Sequence, residues 1–290
     1  MMRLLFIFTI IQYLIGLNII RGTEIPPSSA ITIRVASYNI RYASANDEKT
    51  GNAWAIRKEH VANLMLNHHF DIVGTQEGDS TQIDDLCRLM PAFGVVSANY
   101  GGKNNKLHTA TIFFKKDKFE AMDSGVFWLS ETPDVESIGW DASDTRLCQW
   151  VRFREIATSR TFYFFNTHFY WRKQVAKENS GPLLAEKLSS IAHHSPAIVT
   201  GDFNSTANSF QIKAIQKIAH DAFLISKTPP KGPEATGFPG GIFKGSPKNR
   251  IDYIFVSNTI DILDYTVIDN TYGDNRYPSD HLPVTSEIRF

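Results

Sequence analysis

Ala197-Ile198-Val199-Thr200-Gly201-Asp202-Phe203-Asn204 is a short apolar run ending in a glycine, a carboxylate and, two residues on, a carboxamide. The apolar part has the length of one buried strand. Side chains at i and i+2 share a strand face, so Asp202 and Asn204 address the same point in space. A carboxylate that orients or deprotonates water, beside an amide that holds it, suits hydrolysis at an anionic centre. Alone, the pair is equally at home in a turn, where Asp and Asn are common.

Working outward, residues 31–39 alternate and read as a strand, and 54–68 carry Ile56, Val61, Leu64 and Met65 as a helical stripe. Residues 71–77 read as a second strand ending in polar groups, and 81–90 as a helix stopped by Pro91. Strands follow at 109–115, 125–129, 147–154 and 161–169, rich in Phe, Trp and Ile. A helix is expected from Pro182 to about His193 and another over 209–219, with strands at 251–256, 263–268 and 283–290. A Gly- and Pro-rich loop occupies 229–247. Many strands with interspersed helices predict a layered α/β protein.

With 290 residues, 42% of them apolar, the chain can fill a large core, and no Gly/Ser/Pro-rich linker divides it. We read one domain over 31–290, preceded by a signal peptide at 1–22 and a tether at 23–30. Met1-Met2-Arg3 precedes a nearly unbroken apolar stretch from Leu4 to Ile20, the pattern of a secretory signal. The cleavage site is poor, because Ile20 stands where a small residue is expected. An uncleaved signal anchor is the alternative, at about the shortest length that spans a bilayer. Beyond residue 22 there are 28 bases against 30 acids. Proteins that grip long polynucleotides usually carry a basic surface, so the balance favours a smaller phosphorylated substrate. Two cysteines, Cys87 and Cys148, make no disulfide framework and exclude a thiolate zinc site; both read as core residues.

Polar residues gather at the ends of separate strands: Asn39, Glu77, His168, Asp202 with Asn204, Asp252, and Asp280 with His281. Any one of them is an ordinary cap, turn or core residue, but their shared placement is not. Ser37-Tyr38-Asn39-Ile40-Arg41-Tyr42, Thr75-Gln76-Glu77, Asn166-Thr167-His168, Gly201-Asp202-Phe203-Asn204, Arg250-Ile251-Asp252-Tyr253 and Ser279-Asp280-His281-Leu282-Pro283 resemble, in order, the motifs of the endonuclease/exonuclease/phosphatase superfamily. Arg146, the segment 127–133 and Gly139-Trp140-Asp141 are similar to a subgroup of often secreted, mostly uncharacterised members.

The resemblance implies an α/β (α+β) four-layered α/β/β/α sandwich, two mixed sheets face to face with helices outside and a site at one rim. It also implies phosphoester hydrolysis with a divalent cation, Mg²⁺ in most members and Mn²⁺ as the alternative. In that frame Glu77, with Asn39 and Asp280, holds the cation through hard oxygen ligands. Asp202 activates water and Asn204 holds it. His281, fixed by Asp252, and His168 donate to the phosphate from opposite sides. Arg146 and Arg250 are candidate phosphate contacts, with Arg41 a weaker one.

The chain departs from the subgroup where Tyr170-Trp171 replaces an Asp-His pair, at Val175 where an arginine is usual, and near His108 where an acid is usual. Tyr170 and Trp171 are candidates for a stacking platform under a base or sugar. Asn204-Ser205-Thr206 matches the glycosylation sequon, but a glycan on the candidate catalytic amide would block the site, so none is expected. The expected protein is a monomeric, secreted phosphoesterase with no obligate protein partner, acting on a phosphorylated small molecule, nucleic acid or lipid head group. A deadenylase- or nocturnin-like 3′–5′ RNA exonuclease is the second reading. A catalytically silent binding module on the same fold is the reading of another class.

Overall fold

A computed structural model describes residues 30–101 and 107–290. The expected signal peptide at 1–22 lies outside them, as does all of the tether except Ala30. Among the described residues no helix is long and apolar enough to cross a membrane.

The elements run β1 (Thr32–Asn39), α1 (Ala45–Lys49), α2 (Trp54–Asn67), β2 (Ile72–Gln76), α3 (Ser80–Leu89), β3 (Phe93–Tyr100), β4 (His108–Lys115), β5 (Phe119–Trp128), β6 (Leu147–Glu155) and β7 (Thr161–His168). They continue with α4 (Gln174–Ala192), β8 (Ala197–Asp202), α5 (Phe210–Gln216), β9 (His220–Asp221), α6 (Ala222–Ile225), β10 (Asp252–Val256), β11 (Asp261–Ile262), β12 (Thr266–Val267) and β13 (Val284–Arg289). One sheet has the order β11-β13-β1-β2-β4-β3, with β12 also on β13; the other has the order β5-β6-β7-β8-β10-β9. β1–β2 and β7–β8 are parallel and the remaining pairs antiparallel.

Strand alternation sorts the side chains into layers. Ile33, Val35, Ile72, Phe162, Phe164, Ile198, Ile254 and Val284 meet between the two sheets. Ala36, Tyr38, Val73 and Phe113 turn outward under Val61, Met65 and Leu86 of α2 and α3. Phe165, Val199, Phe203 and Phe255 turn outward under Leu184, Leu188, Ile212 and Ile215 of α4 and α5. Each fully buried side chain of this size stabilises the fold by about 2–3 kcal/mol. The result is the expected α/β/β/α arrangement.

The inner faces change character along their length. β1 runs Ile33, Val35, Ser37, Asn39; β7 runs Phe162, Phe164, Asn166, His168; β8 runs Ile198, Thr200, Asp202. Each begins apolar, passes a small or amide side chain, and ends in a site residue. In the middle zone, Gln76 Nε2 donates to Asn166 Oδ1 at 2.7 Å, and Asn166 Nδ2 donates to the Thr75 carbonyl at 2.8 Å. Thr200 Oγ1 donates to Asn166 Oδ1 at 3.2 Å. This polar layer joins the sheets directly beneath the rim. Gly74 makes room for it, since a Cβ there would run into Thr200 Oγ1 and Asn166 Oδ1.

Several elements differ from expectation. The helix expected from Pro182 begins at Gln174 and carries Pro182 inside it. Ser180 Oγ donates to the Ala176 carbonyl at 2.6 Å, and Gly181 lets α5 approach the α4 backbone where a Cβ would strike Gln211. Tertiary packing thus holds a segment that Ser-Gly-Pro alone would break. Of the strand expected over 263–268 only β12 (Thr266–Val267) forms, with β11 (Asp261–Ile262) lying just before it. There Asp264 accepts from the Glu287 N–H at 2.7 Å and from Arg34, so a side chain replaces the ladder. β3 was not anticipated: it is an edge strand whose exposed positions include Val95. Cys87 and Cys148 are free and belong to the packing beneath different helix layers.

Candidate active site

Six strand ends converge on one rim. In sheet register His168 and Asp252 both lie opposite Asp202, from β7 and β10 on either side of β8. Asn39 ends β1, Glu77 follows β2, and Asp280-His281 precedes β13. A cavity of about 490 Å³ opens there, lined by Glu77, His168, Asp202, Asn204, Asp280 and His281 together with Arg41, Arg146 and Trp171. Arg41, Glu77 and Asn204 have φ of 57°, 70° and 47°. Non-glycine residues seldom adopt the left-handed region, and here three of them cluster at one cavity.

Asp202 is the hub. Its Oδ2 accepts from Asn39 Nδ2 at 3.0 Å and lies 3.4 Å from His168 Nε2 and 3.7 Å from His281 Nε2; its Oδ1 accepts from the Asn204 N–H at 2.8 Å. Its carboxyl is pushed up to about 7, chiefly by burial and also by the Asp252 charge, against the downward pull of His281, the Asn204 N–H and Asn39. A carboxylate poised near neutrality is suited to taking a proton from water.

His281 Nδ1 is 2.9 Å from Asp252 Oδ2, both buried. Burial disfavours the imidazolium, but the charges of Asp252 and Asp202 and the Asp252 hydrogen bond outweigh it and hold His281 well above its usual value. It is therefore a charged donor at neutral pH. His168 has the opposite character, since burial, then the Arg146 charge, hold it well below its usual value and keep it neutral.

Glu77 Oε1 accepts from Asn39 Nδ2 at 3.1 Å and Oε2 from the Tyr42 N–H at 3.4 Å. Burial raises its pKa, yet the Asn39 hydrogen bond and the charges of His281 and Arg41 leave it lowered, so it is ionised. Asp280 is raised, by burial first and also by the Glu77 charge, which places two like charges in one another's field. Such hard oxygen donors fit a divalent cation that would relieve the repulsion. Ligand atoms of Glu77, His168 and Asp202 also lie within 4.8 Å of one another, as do those of Asp202, Asp252 and His281. The nitrogens are weak candidates, because His168 has the Arg146 guanidinium against its ring and His281 is charged. Asn39 donates its amide nitrogen to Glu77 and Asp202, and its oxygen accepts from the Arg41 N–H at 3.0 Å, so it orients both carboxylates and keeps a second lone pair on that oxygen.

Arg146 lines the cavity with its guanidinium between the rings of Tyr100 and Tyr170. Arg41 also lines it, bonded to Asp47 at 3.1 Å and 3.4 Å from Asp280. Arg250 departs from expectation. It is buried in a bidentate pair with Asp221 at 3.0 and 2.7 Å, and does not line this cavity. Tyr170 is no open platform either: it is 4% exposed, its hydroxyl meets Ser143 Oγ at 2.7 Å, and Arg146 covers its face. Trp171 is 51% exposed at the mouth with the Arg172 guanidinium 3.8 Å from its ring centre. Tyr42, Tyr100, His108 and Asp144 were not singled out for roles; Tyr42, His108 and Asp144 line the cavity, and Tyr100 stands behind His168. In the sequence Tyr42 lies within the motif at 37–42 and His108 at a departure from the subgroup pattern, whereas nothing marks Asp144 or Tyr100, which ends the unexpected strand β3.

The model of the family described as Endonuclease/Exonuclease/phosphatase matches residues 36–281. The structure of a mannosyl-6-phosphatase from Bacteroides thetaiotaomicron is 34% identical, with a TM-score of 0.83, and the match covers 89% of this chain and 100% of that one. An endonuclease/exonuclease/phosphatase family protein from the same organism is 33% identical at a TM-score of 0.83, over 90% of this chain and 99% of that one. The Ccr4 3′-5′-exoribonuclease subunit of the Saccharomyces cerevisiae CCR4-Not complex is 22% identical over 89% of this chain. The chain spans 59%, 39% and 64% of the curated relatives it matches, less than two-thirds of each. The chain belongs to the endonuclease/exonuclease/phosphatase family, whose members are hydrolases of phosphoester bonds.

Proposed function

We propose that this protein is a divalent-cation-dependent phosphatase of small phosphorylated molecules, sugar phosphates foremost. The observation that carries the reading is the convergence of Glu77, His168, Asp202, Asn204, Asp280 and His281 on one cavity of about 490 Å³. That volume suits a monosaccharide or mononucleotide. The neutral overall charge and the 34% identical mannosyl-6-phosphatase support the same substrate class.

Glu77 and Asp280 would hold the cation, Mg²⁺ by the chemistry of the set, with Asn39 fixing their approach. Bound there, it would neutralise charge on the phosphate. Asp202 accepts a proton from the attacking water while Asn204 holds the water and phosphate. The new P–O bond forms as the bond to the leaving oxygen breaks, and that oxygen takes its proton from solvent. His281, as imidazolium, and His168, as a neutral donor, hydrogen-bond the non-bridging oxygens, at about 3 kcal/mol of transition-state stabilisation each. Trp171 supplies an apolar face for the sugar ring. The basic-then-apolar opening, outside the described residues, supports secretion, so this is proposed as an extracellular or secretory-route activity.

A panel of hexose 6-phosphates, nucleoside monophosphates, bis(p-nitrophenyl) phosphate and oligo(A), each with Mg²⁺ and with chelator, tests the proposal. Metal-dependent phosphate release from the hexose phosphates is expected, with KM raised by Trp171→Ala. Shortening of oligo(A) without phosphate release from monoesters would overturn the proposal in favour of the exoribonuclease reading.

A further inference from the structure

Two donors meet one nitrogen behind His168. Arg146 Nη1 lies 3.1 Å and the Tyr100 hydroxyl 2.8 Å from His168 Nδ1. A guanidinium has no lone pair to offer, so Nδ1 must be the acceptor. The Tyr100 hydroxyl in turn accepts from the Glu77 N–H at 3.3 Å, which leaves its own proton directed at Nδ1. The proton of the neutral ring then sits on Nε2, facing Asp202 Oδ2 at 3.4 Å. Asn204 Nδ2 lies 3.0 Å from that same Nε2 while donating to the Phe169 carbonyl at 3.1 Å. Two N–H groups thus converge, an arrangement relieved when one anionic oxygen accepts from both.

We infer that Tyr100 and Arg146 are positioning residues that lock His168 into its Nε2-protonated tautomer, so that it can only donate to the bound phosphate. Tyr100 is 1% exposed and sits on Ala110, Trp128 and Leu147, so the lock is built into the packing at the end of β3. Through the Glu77 N–H it also ties the phosphate donor to the left-handed residue that carries the acidic group. Arg146 is nine-tenths buried, and among the described residues no carboxylate pairs with it and its Nε has no hydrogen-bond partner. Its charge therefore bears on the ring rather than being cancelled beside it. The downward shift of His168 agrees with this arrangement. The inference rests on the phosphoesterase reading for its purpose, but the tautomer is measurable without any substrate.

Histidine-selective ¹⁵N NMR on the full chain tests it. The chain has nine histidines, so the His168 signals are assigned by their loss in His168→Gln. Wild type is expected to show an unprotonated Nδ1 and a protonated Nε2, and Tyr100→Phe with Arg146→Gln to admit the other tautomer. Tyr100→Phe alone is expected to lower kcat about tenfold, as for one buried neutral hydrogen bond, with the loss persisting at saturating Mg²⁺. A proton on Nδ1 in the wild type would overturn the inference. So would a Tyr100→Phe deficit fully rescued by added Mg²⁺, which would place the effect on Glu77. Inactivity of the wild type on the panel, with the Nε2 tautomer intact, would count against the proposed function and leave the tautomer lock standing.

Discussion

Replacing Asp252 separates orientation from charge at His281. Asp252 Oδ2 stands 2.9 Å from His281 Nδ1 in a buried contact, and among the described residues the other oxygen of Asp252 has no hydrogen-bond partner. In Asp252→Asn the amide oxygen can still accept from Nδ1–H, so only the charge assistance is removed. A hydrogen bond to a charged group is worth about 1.5–3 kcal/mol and a neutral one about 1 kcal/mol, so the loss is about 1.5 kcal/mol, or roughly tenfold in kcat. Asp252→Ala removes the partner altogether and leaves a buried imidazolium facing Asp202, 3.7 Å from its Nε2, with no carboxylate on Nδ1. Breaking a buried pair costs about 3 kcal/mol or more, which is on the order of 150-fold. Phosphate release from the best substrate of the panel, measured at saturating Mg²⁺ on variants shown by circular dichroism to be folded, gives both numbers. The expected order is wild type, then Asn, then Ala. Equal rates for all three would refute the reasoning, because His281 would then be held by something other than Asp252.

Gly74→Ala drives a methyl into Thr200 and Asn166 within the polar layer between the sheets; overpacking of this kind costs about 1–3 kcal/mol, and a urea midpoint unchanged from wild type would contradict it. Asp71 accepts from Lys115, Lys118 and the Arg34 N–H, and although burial opposes ionisation these partners leave its pKa lowered. Its contribution is therefore present above the unfolded value of about 3.9 and lost as pH falls through the lower folded value, so the stability gap between wild type and Asp71→Asn should shrink between about pH 7 and about pH 3; a constant gap would sink that account. Arg250→Leu leaves Asp221 buried and unpaired, so stability should fall by about 3 kcal/mol with KM unchanged, whereas a raised KM at full stability would return Arg250 to the substrate.

The catalytic rim was legible because inner-facing strand positions repeat every second residue, which lets a local motif fix both the face and the end of a strand. Thus Asp202 and Asn204, and Asp280 with His281, line the cavity, and Asn39 stands behind them bonded to Asp202. What was not legible depends on partners distant in sequence. Arg250 is a candidate phosphate contact by its motif, but its partner is Asp221, brought alongside by β9 and β10. Tyr170 is a candidate platform by residue type, but Ser143 and Arg146, distant in sequence, cover it. The extra turns of α4 before Pro182 depend on Gly181 meeting α5, and Asp264 breaks a strand by bonding Arg34 and Glu287. The hydrogen bonds from the Asn39 amide to Glu77 and Asp202, which orient both carboxylates, likewise depend on strands far apart in sequence.

The central claim is that Glu77 and Asp280 hold a divalent cation at which Asp202 and His281 carry out phosphoester hydrolysis. The most direct measurement is phosphate release by wild type and Glu77→Gln across a Mg²⁺ titration begun in chelator. The account predicts no activity in chelator, full recovery of the wild type with Mg²⁺, and a variant that needs on the order of a hundredfold more Mg²⁺ for the same rate. Wild-type activity that survives the chelator, or superimposable Mg²⁺ curves for the two proteins, would contradict it.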